Sequence, residues 1–105
     1  MVFGVGAALL DALVLRVVEK GDTYGYEISQ TLRDRLDVSD STLYPVLRRL
    51  LKDSFLECYD VPISGRNRRY YRITPKGREQ LKLYLGEWLA YRGQIDTILF
   101  EGETE

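Results

Sequence analysis

S-D-S-T-L-Y-P-V-L-R-R-L-L-K-D, from Ser39 to Asp53, carries two patterns at once. Read as a helix, it places Leu43, Val46, Leu47, Leu50 and Leu51 at i, i+3, i+4, i+7 and i+8, a stripe that demands burial. Ser41, Tyr44, Pro45, Arg48 and Lys52 fall on the opposite side, with Arg49 on the flank. Ser39 suits the N-cap, because its hydroxyl can accept from the open N–H groups of the first turn. Val38 and Leu43 stand at the two positions of a hydrophobic staple. Small hydroxyls and a tyrosine, followed by two arginines and a lysine, suit a surface that enters a DNA groove and meets base edges and phosphates together. A solvated amphipathic helix would show the same spacing, so the neighbours must decide.

Upstream, Y-G-Y-E-I-S-Q-T-L-R-D-R-L reads as a helix over about Tyr24 to Arg35, with Thr23 as its cap and Ile28, Leu32 and Leu36 inside. Only Leu36 to Val38 separate it from the next helix, which makes the pair a helix-turn-helix candidate. Before it, about Gly6 to Lys20 reads as a first helix, stopped at Gly21-Asp22. Leu9, Leu10, Leu13, Val14, Val17 and Val18 make it apolar on nearly every side. Such a helix needs cover on two sides, more than a single protomer this small is expected to supply. The apolar start lacks a basic n-region and carries Asp11 in its middle, so it reads as a folded helix of a cytoplasmic protein rather than a leader.

Downstream of Asp53 the period changes to two. Phe55 to Tyr59 reads as a strand, Asp60 to Asn67 (with Pro62 and Gly65) as a loop, and Arg68 to Thr74 as the returning strand. Tyr71 and Ile73 are expected in the core, Arg68 and Arg72 outside. A basic hairpin after a helix-turn-helix is a wing, whose tip meets a phosphate backbone or a minor groove. Thr74-Pro75 then opens a last helix, Thr as N-cap and Pro in the first turn. Leu81, Leu85, Trp88, Arg92, Ile95 and Leu99 recur along it at spacings of four and three, a coiled-coil-like seam. Gly86 and Gly93 each cost about 1 kcal/mol against Ala in a helix interior, which points to a close approach or a bend. The seam and the first helix together favour a homodimer; Phe100 to Glu105 reads as an acidic, frayed tail.

With 105 residues the chain has room for one core. No apolar run approaches the roughly 20 residues needed to cross a bilayer, so no membrane partner is expected. The net charge of −1 conceals a gradient. Ser64 to Arg78 holds Arg66, Arg68, Arg69, Arg72, Lys76 and Arg78 with no acid, whereas Glu79 to Glu105 is acidic. The single Cys58, with no histidine in the chain, argues against a zinc site or a Cys/His nucleophile and reads as a small apolar filler in a strand. With no nucleophile–base pair and no phosphate-cradling glycine loop, neither an enzyme nor a cofactor is expected.

The sequence resembles the PadR family of winged-helix transcriptional regulators. The carriers are Y-G-Y-E-I at Tyr24 to Ile28, S-T-L-Y-P-V-L-R-R-L at Ser41 to Leu50, G-R-N-R-R-Y-Y-R-I-T-P-K-G at Gly65 to Gly77, and Trp88. Their combination in this order is specific, and they span most of the chain. The resemblance implies a mainly α fold with a small β-hairpin: a winged helix-turn-helix domain over 1–74 and a long C-terminal dimerisation helix over 75–105. It implies a sequence-specific DNA-binding regulator, a repressor, acting as a homodimer on an inverted-repeat operator. The DNA-facing positions are then Ser41, Thr42, Tyr44, Arg48 and Lys52 on the third helix, and Arg66, Arg68 and Arg69 on the wing. The smaller subgroup, which this chain resembles in its single short C-terminal helix, includes drug-responsive repressors. By that likeness a small aromatic or hydrophobic effector would meet Trp88, Leu85 and Arg92, and on the first helix Ala8, Asp11, Ala12 and Leu15, with Val5 nearby. Arg92 stands where an acidic residue would favour cationic drugs, which shifts the expectation toward neutral or anionic aromatics. The competing expectation is a winged-helix module that binds another protein and little DNA.

Overall fold

The computed structural model describes residues 3–102; Glu103 to Glu105 of the expected tail lie outside the described residues. The order is α1 (Ala7–Glu19), β1 (Thr23–Tyr24), α2 (Gly25–Leu36), α3 (Asp40–Lys52), β2 (Leu56–Ile63), β3 (Arg66–Ile73) and α4 (Pro75–Phe100). The three strands form one antiparallel sheet in the order β1-β3-β2. The fold is thus mainly α with a small sheet, as expected.

One core joins these elements. Val14, Leu15 and Val18 of α1, Ile28 and Leu32 of α2, Leu43, Val46, Leu47 and Leu50 of α3, Leu56, Tyr71 and Ile73 of the sheet and Leu81 of α4 are all buried together. Ser39 caps α3, its hydroxyl accepting from the Thr42 N–H at 3.3 Å, a contact that contributes about 1 kcal/mol in comparable helices. Val38 and Leu43 are both buried beside it, as a staple requires. Asp37, in the left-handed region at φ 57°, closes α2 by donating its N–H to the Arg33 carbonyl at 3.2 Å. That tight exit leaves α3 crossing α2 after three residues, Asp37 to Ser39.

Four expectations are corrected. Thr23 does not cap α2; it lies in β1, paired with Tyr71, and Tyr24 occupies the cap position. Asp60 to Asn67 is not a loop, because both strands run on to a two-residue turn at Ser64-Gly65. Both turn residues have positive φ, 51° and 80°, the twist a tight hairpin needs, and only Gly65 adopts it without strain. Pro62 is accommodated because β2 is an edge strand with one neighbour, where a missing N–H is tolerated. Cys58 is exposed and not an apolar filler, although it shares a face with Leu56 and lies opposite the buried Tyr71: it stands on β2, the edge strand of the sheet. Finally, α1 finds most of its cover within one protomer, packed against α2, α3, α4 and β3; of its apolar residues Leu9, Leu13 and Val17 stay half-buried and Ala7 and Ala8 exposed.

The junction into α4 is tightly built. Thr74 Oγ1 donates to the Ser54 carbonyl at 2.7 Å and accepts from the Gly77 N–H at 2.9 Å, while the Thr74 N–H donates to the Phe55 carbonyl at 3.1 Å. Lys76 Nζ donates to the Asp53 carbonyl at 2.9 Å. Gly77 is the close approach: a Cβ there would stand 2.1 Å from the Phe55 oxygen. Gly86 and Gly93, by contrast, face open space within the chain. Beyond Tyr84, α4 leaves the body, drawing the molecule out to 60 × 28 × 22 Å.

Candidate nucleic-acid interface

The expected surface of α3 is open. Ser41, Thr42, Tyr44, Pro45, Arg48 and Lys52 are all exposed, opposite the buried leucine stripe. The hydroxyls of Ser39, Ser41 and Thr42 cluster at the helix start, with Ser39 Oγ 3.1 Å from Ser41 Oγ and 3.0 Å from Thr42 Oγ1. Among the described residues no ion pair engages Arg48, Lys52 or Arg66. No carboxylate among the described residues competes with an external anion for those cations.

The wing differs from its sequence. The run from Ser64 to Arg78 contains no acid, but the acids come from the facing strand. Register places Glu57 opposite Arg72 and Asp60 opposite Arg69, and the pairs close to 3.1 and 3.6 Å. Arg78 reaches Glu19 at 3.7 Å. Arg68 lies with its guanidinium 4.2 Å above the Tyr24 ring, on the sheet's outer face, where Tyr24, Tyr70 and Tyr59 follow one another. Arg66 is therefore the open cation of the wing, Arg68 is stacked but unneutralised, and Arg69 is partly neutralised.

Tyr71 ties the hairpin to α3. Burial pushes its phenol above the ordinary range; Arg69 opposes this, while Cys58 and Tyr44 push the same way. Tyr71 lies in one core cluster with Leu43, Val46, Leu47 and Leu50 of α3. Tyr26, absent from the expected interface, is exposed at the start of α2 and lines a shallow cleft with Tyr44 and Asp40. Its signal was the Y-G-Y repeat, whose second tyrosine falls off the inner stripe of α2.

A polar clip holds α2 to α3. Arg33 Nη2 donates to Asp40 Oδ1 at 2.6 Å and to Ser29 Oγ at 2.9 Å, and Ser29 donates to Asp40. The Ser29 hydroxyl first, then Arg33, hold the Asp40 carboxyl below its ordinary value. A depressed carboxyl stabilises the fold above its usual titration range and loses that contribution as pH falls through the lowered value. The clip is therefore intact at neutral pH.

The residues expected around an effector divide. Ala8 on α1 and Leu85, Trp88 and Arg92 on α4 are exposed; Asp11 and Ala12 are buried, and Leu15 is wholly so within its own protomer. Leu15 therefore has no surface to offer a ligand. The Asp11 carboxylate is already engaged, accepting from Arg49 on one oxygen and from the Tyr84 hydroxyl at 3.3 Å on the other. Trp88 sits beside Tyr91, ring centres 6.2 Å apart. Among the described residues no group of side chains could hold a metal ion, and no helix is long and apolar enough to cross a membrane.

A helix-turn-helix whose second helix presents hydroxyls and cations, followed by a two-stranded wing and a long outlying helix, defines a winged-helix regulator. The chain belongs to the Transcriptional regulator PadR-like family, whose model matches residues 14–83. A solved protein of Streptococcus mutans is 40% identical, with a TM-score of 0.88 over 96% of this chain and 95% of that one. A PadR family transcription regulator of Clostridium difficile is 30% identical, with a TM-score of 0.78 over 86% of this chain and 97% of its own. Bacillus subtilis PadR, solved in complex with operator DNA, shares the fold at 23% identity and a TM-score of 0.66, over 73% of this chain and 46% of that one.

Proposed function

We propose that this protein is a sequence-specific DNA-binding regulator that acts as a homodimeric repressor on an inverted-repeat operator. The observation that carries the reading is that Arg48 and Lys52 on the exposed face of α3, which also carries Ser41, Thr42 and Tyr44, and Arg66 at the tip of the wing have no ion-pair partner among the described residues. α3 would lie in the major groove, with Arg66, Arg68 and Arg69 of the wing along the backbone. The operator complex of Bacillus subtilis PadR supports the choice of partner. Selecting bound fragments from genomic DNA tests it: enrichment of one inverted repeat is expected, and an unenriched pool overturns it.

Residues 1–74 would form the reading domain and 75–105 the dimer arm. Leu85, Trp88, Ile95 and Leu99 lie exposed along α4, and the half-buried Leu9, Leu13 and Val17 of α1 would share in the interface. Gly86 and Gly93, open within the chain, would admit the partner's backbone. Trp88→Lys should raise the dimer dissociation constant by roughly 30-fold or more, as loss of a central aromatic anchor does; sedimentation across a concentration series reads this.

The effector would be a flat aromatic or hydrophobic molecule between the paired Trp88 rings, flanked by Ala8, Leu85 and Arg92. It would release DNA by favouring another spacing of the two α3 helices. Quenching of tryptophan fluorescence by a panel of planar aromatics tests this. The cross-strand neutralisation of Arg69 and Arg72 favours a second reading, a protein-binding module of the same fold. A gel shift against DNA upstream of its own gene separates the two: a specific complex excludes the module.

A further inference from the structure

Asp11 is the one buried charged side chain among the described residues, 7% exposed in the middle of α1. Its two oxygens serve two different elements. Oδ1 accepts from Nη2 of Arg49 on α3, the residue next to Arg48. Oδ2 accepts from the hydroxyl of Tyr84 on α4, the last half-buried residue before the helix leaves the body. Only the carboxylate of this pair is buried, the Arg49 side chain being 40% exposed; such a pair adds little net stability, and apolar replacements of similar volume often do as well. Its particular property is direction. Apolar contact between helices tolerates small rotations, whereas a planar guanidinium bonded to a fixed carboxylate does not.

A twofold regulator needs that direction. The arm sets the distance between subunits, α3 reads the half-site, and any slack between the two blurs the separation at which both can read. We propose that Asp11 is a positioning residue: through Arg49 and Tyr84 it locks α3 to the base of α4, and the lock makes the dimer selective for half-site spacing. The proposal rests on the dimeric operator reading above.

The test uses the full-length protein and the operator recovered by fragment selection, alongside versions with one base pair added or removed between half-sites. One base pair moves the half-sites in both distance and rotation, so wild type should lose about tenfold or more in affinity on either altered spacing. The double variant Asp11→Leu/Arg49→Met removes both charges together and should still fold and bind, with discrimination reduced to about threefold or less. Tyr84→Phe, which removes one hydroxyl, should reduce discrimination by a smaller factor at an unchanged melting temperature. A role confined to stability would lower melting and leave the spacing ratio alone. If Tyr84→Phe, and the double variant where it folds, keep the wild-type ratio, the positioning role is overturned and the operator reading stands. If wild type itself binds all three spacings alike, the operator reading fails and the positioning role fails with it.

Discussion

Raising salt from 50 to 200 mM should weaken operator binding by roughly 10³- to 10⁵-fold. Of the cations expected to face DNA, four per protomer, Arg48, Lys52, Arg66 and Arg68, carry no carboxylate partner among the described residues, hence eight in a twofold dimer. Each phosphate they neutralise releases condensed counterions, and eight contacts give a slope of log affinity against log salt of about −7. Arg66→Ala should reduce that slope by about two per dimer and weaken all sequences alike. Arg72→Ala should leave it unchanged, because Glu57 already neutralises Arg72. A flat salt dependence, or equal effects of the two substitutions, would remove the wing from the interface. Filter binding over a salt series makes the measurement.

Gly77→Ala should cost about 3 kcal/mol or more, at the upper end of what overpacking does in a close-packed interior. The added methyl would lie 2.1 Å from the Phe55 oxygen, 2.8 Å from Ile73 Cγ1 and 3.0 Å from the Phe55 carbonyl carbon. None of these can yield cheaply. The Phe55 oxygen accepts from the Thr74 N–H and Oγ1, both at 3.1 Å, and Ile73 is in the core. In a chain of this size that loss lowers the melting temperature by roughly 12–25 °C. Gly86→Ala is the control: with open space around it, alanine should be neutral or favourable by up to about 1 kcal/mol in the isolated protomer. Thermal unfolding at low protein concentration compares them, and a Gly77→Ala protein as stable as wild type would mean that α4 can lift off the α3–β2 turn.

The long helices were legible because their spacing is redundant. Five apolar positions mark α3, and capping by Ser39 and Thr74 announces two starts. β1 was not legible: two residues hold no period, and only pairing with Tyr70 and Tyr71 makes Thr23-Tyr24 a strand. The wing's length was hidden by Pro62, which forbids a central strand but not an edge one. Its electrostatics were hidden for a different reason. A run of arginines reads as unneutralised until register is known, and register is a property of two segments. The same holds for Arg49, placed on the flank of α3, whose partner lies 38 residues away on α1. Individual exposed positions on α3 could be read from one helix; the connections that orient them could not.

The hairpin tip extends past β1, so its edges lie bare on both sides, a shape that invites strand-to-strand aggregation. Pro62 interrupts the row of donors along the outer edge of β2, and the charged Glu57 and Asp60 on the same strand make an approaching sheet unwelcome. The residue that obscured the wing in the sequence thus guards its bare edge against strand-to-strand pairing.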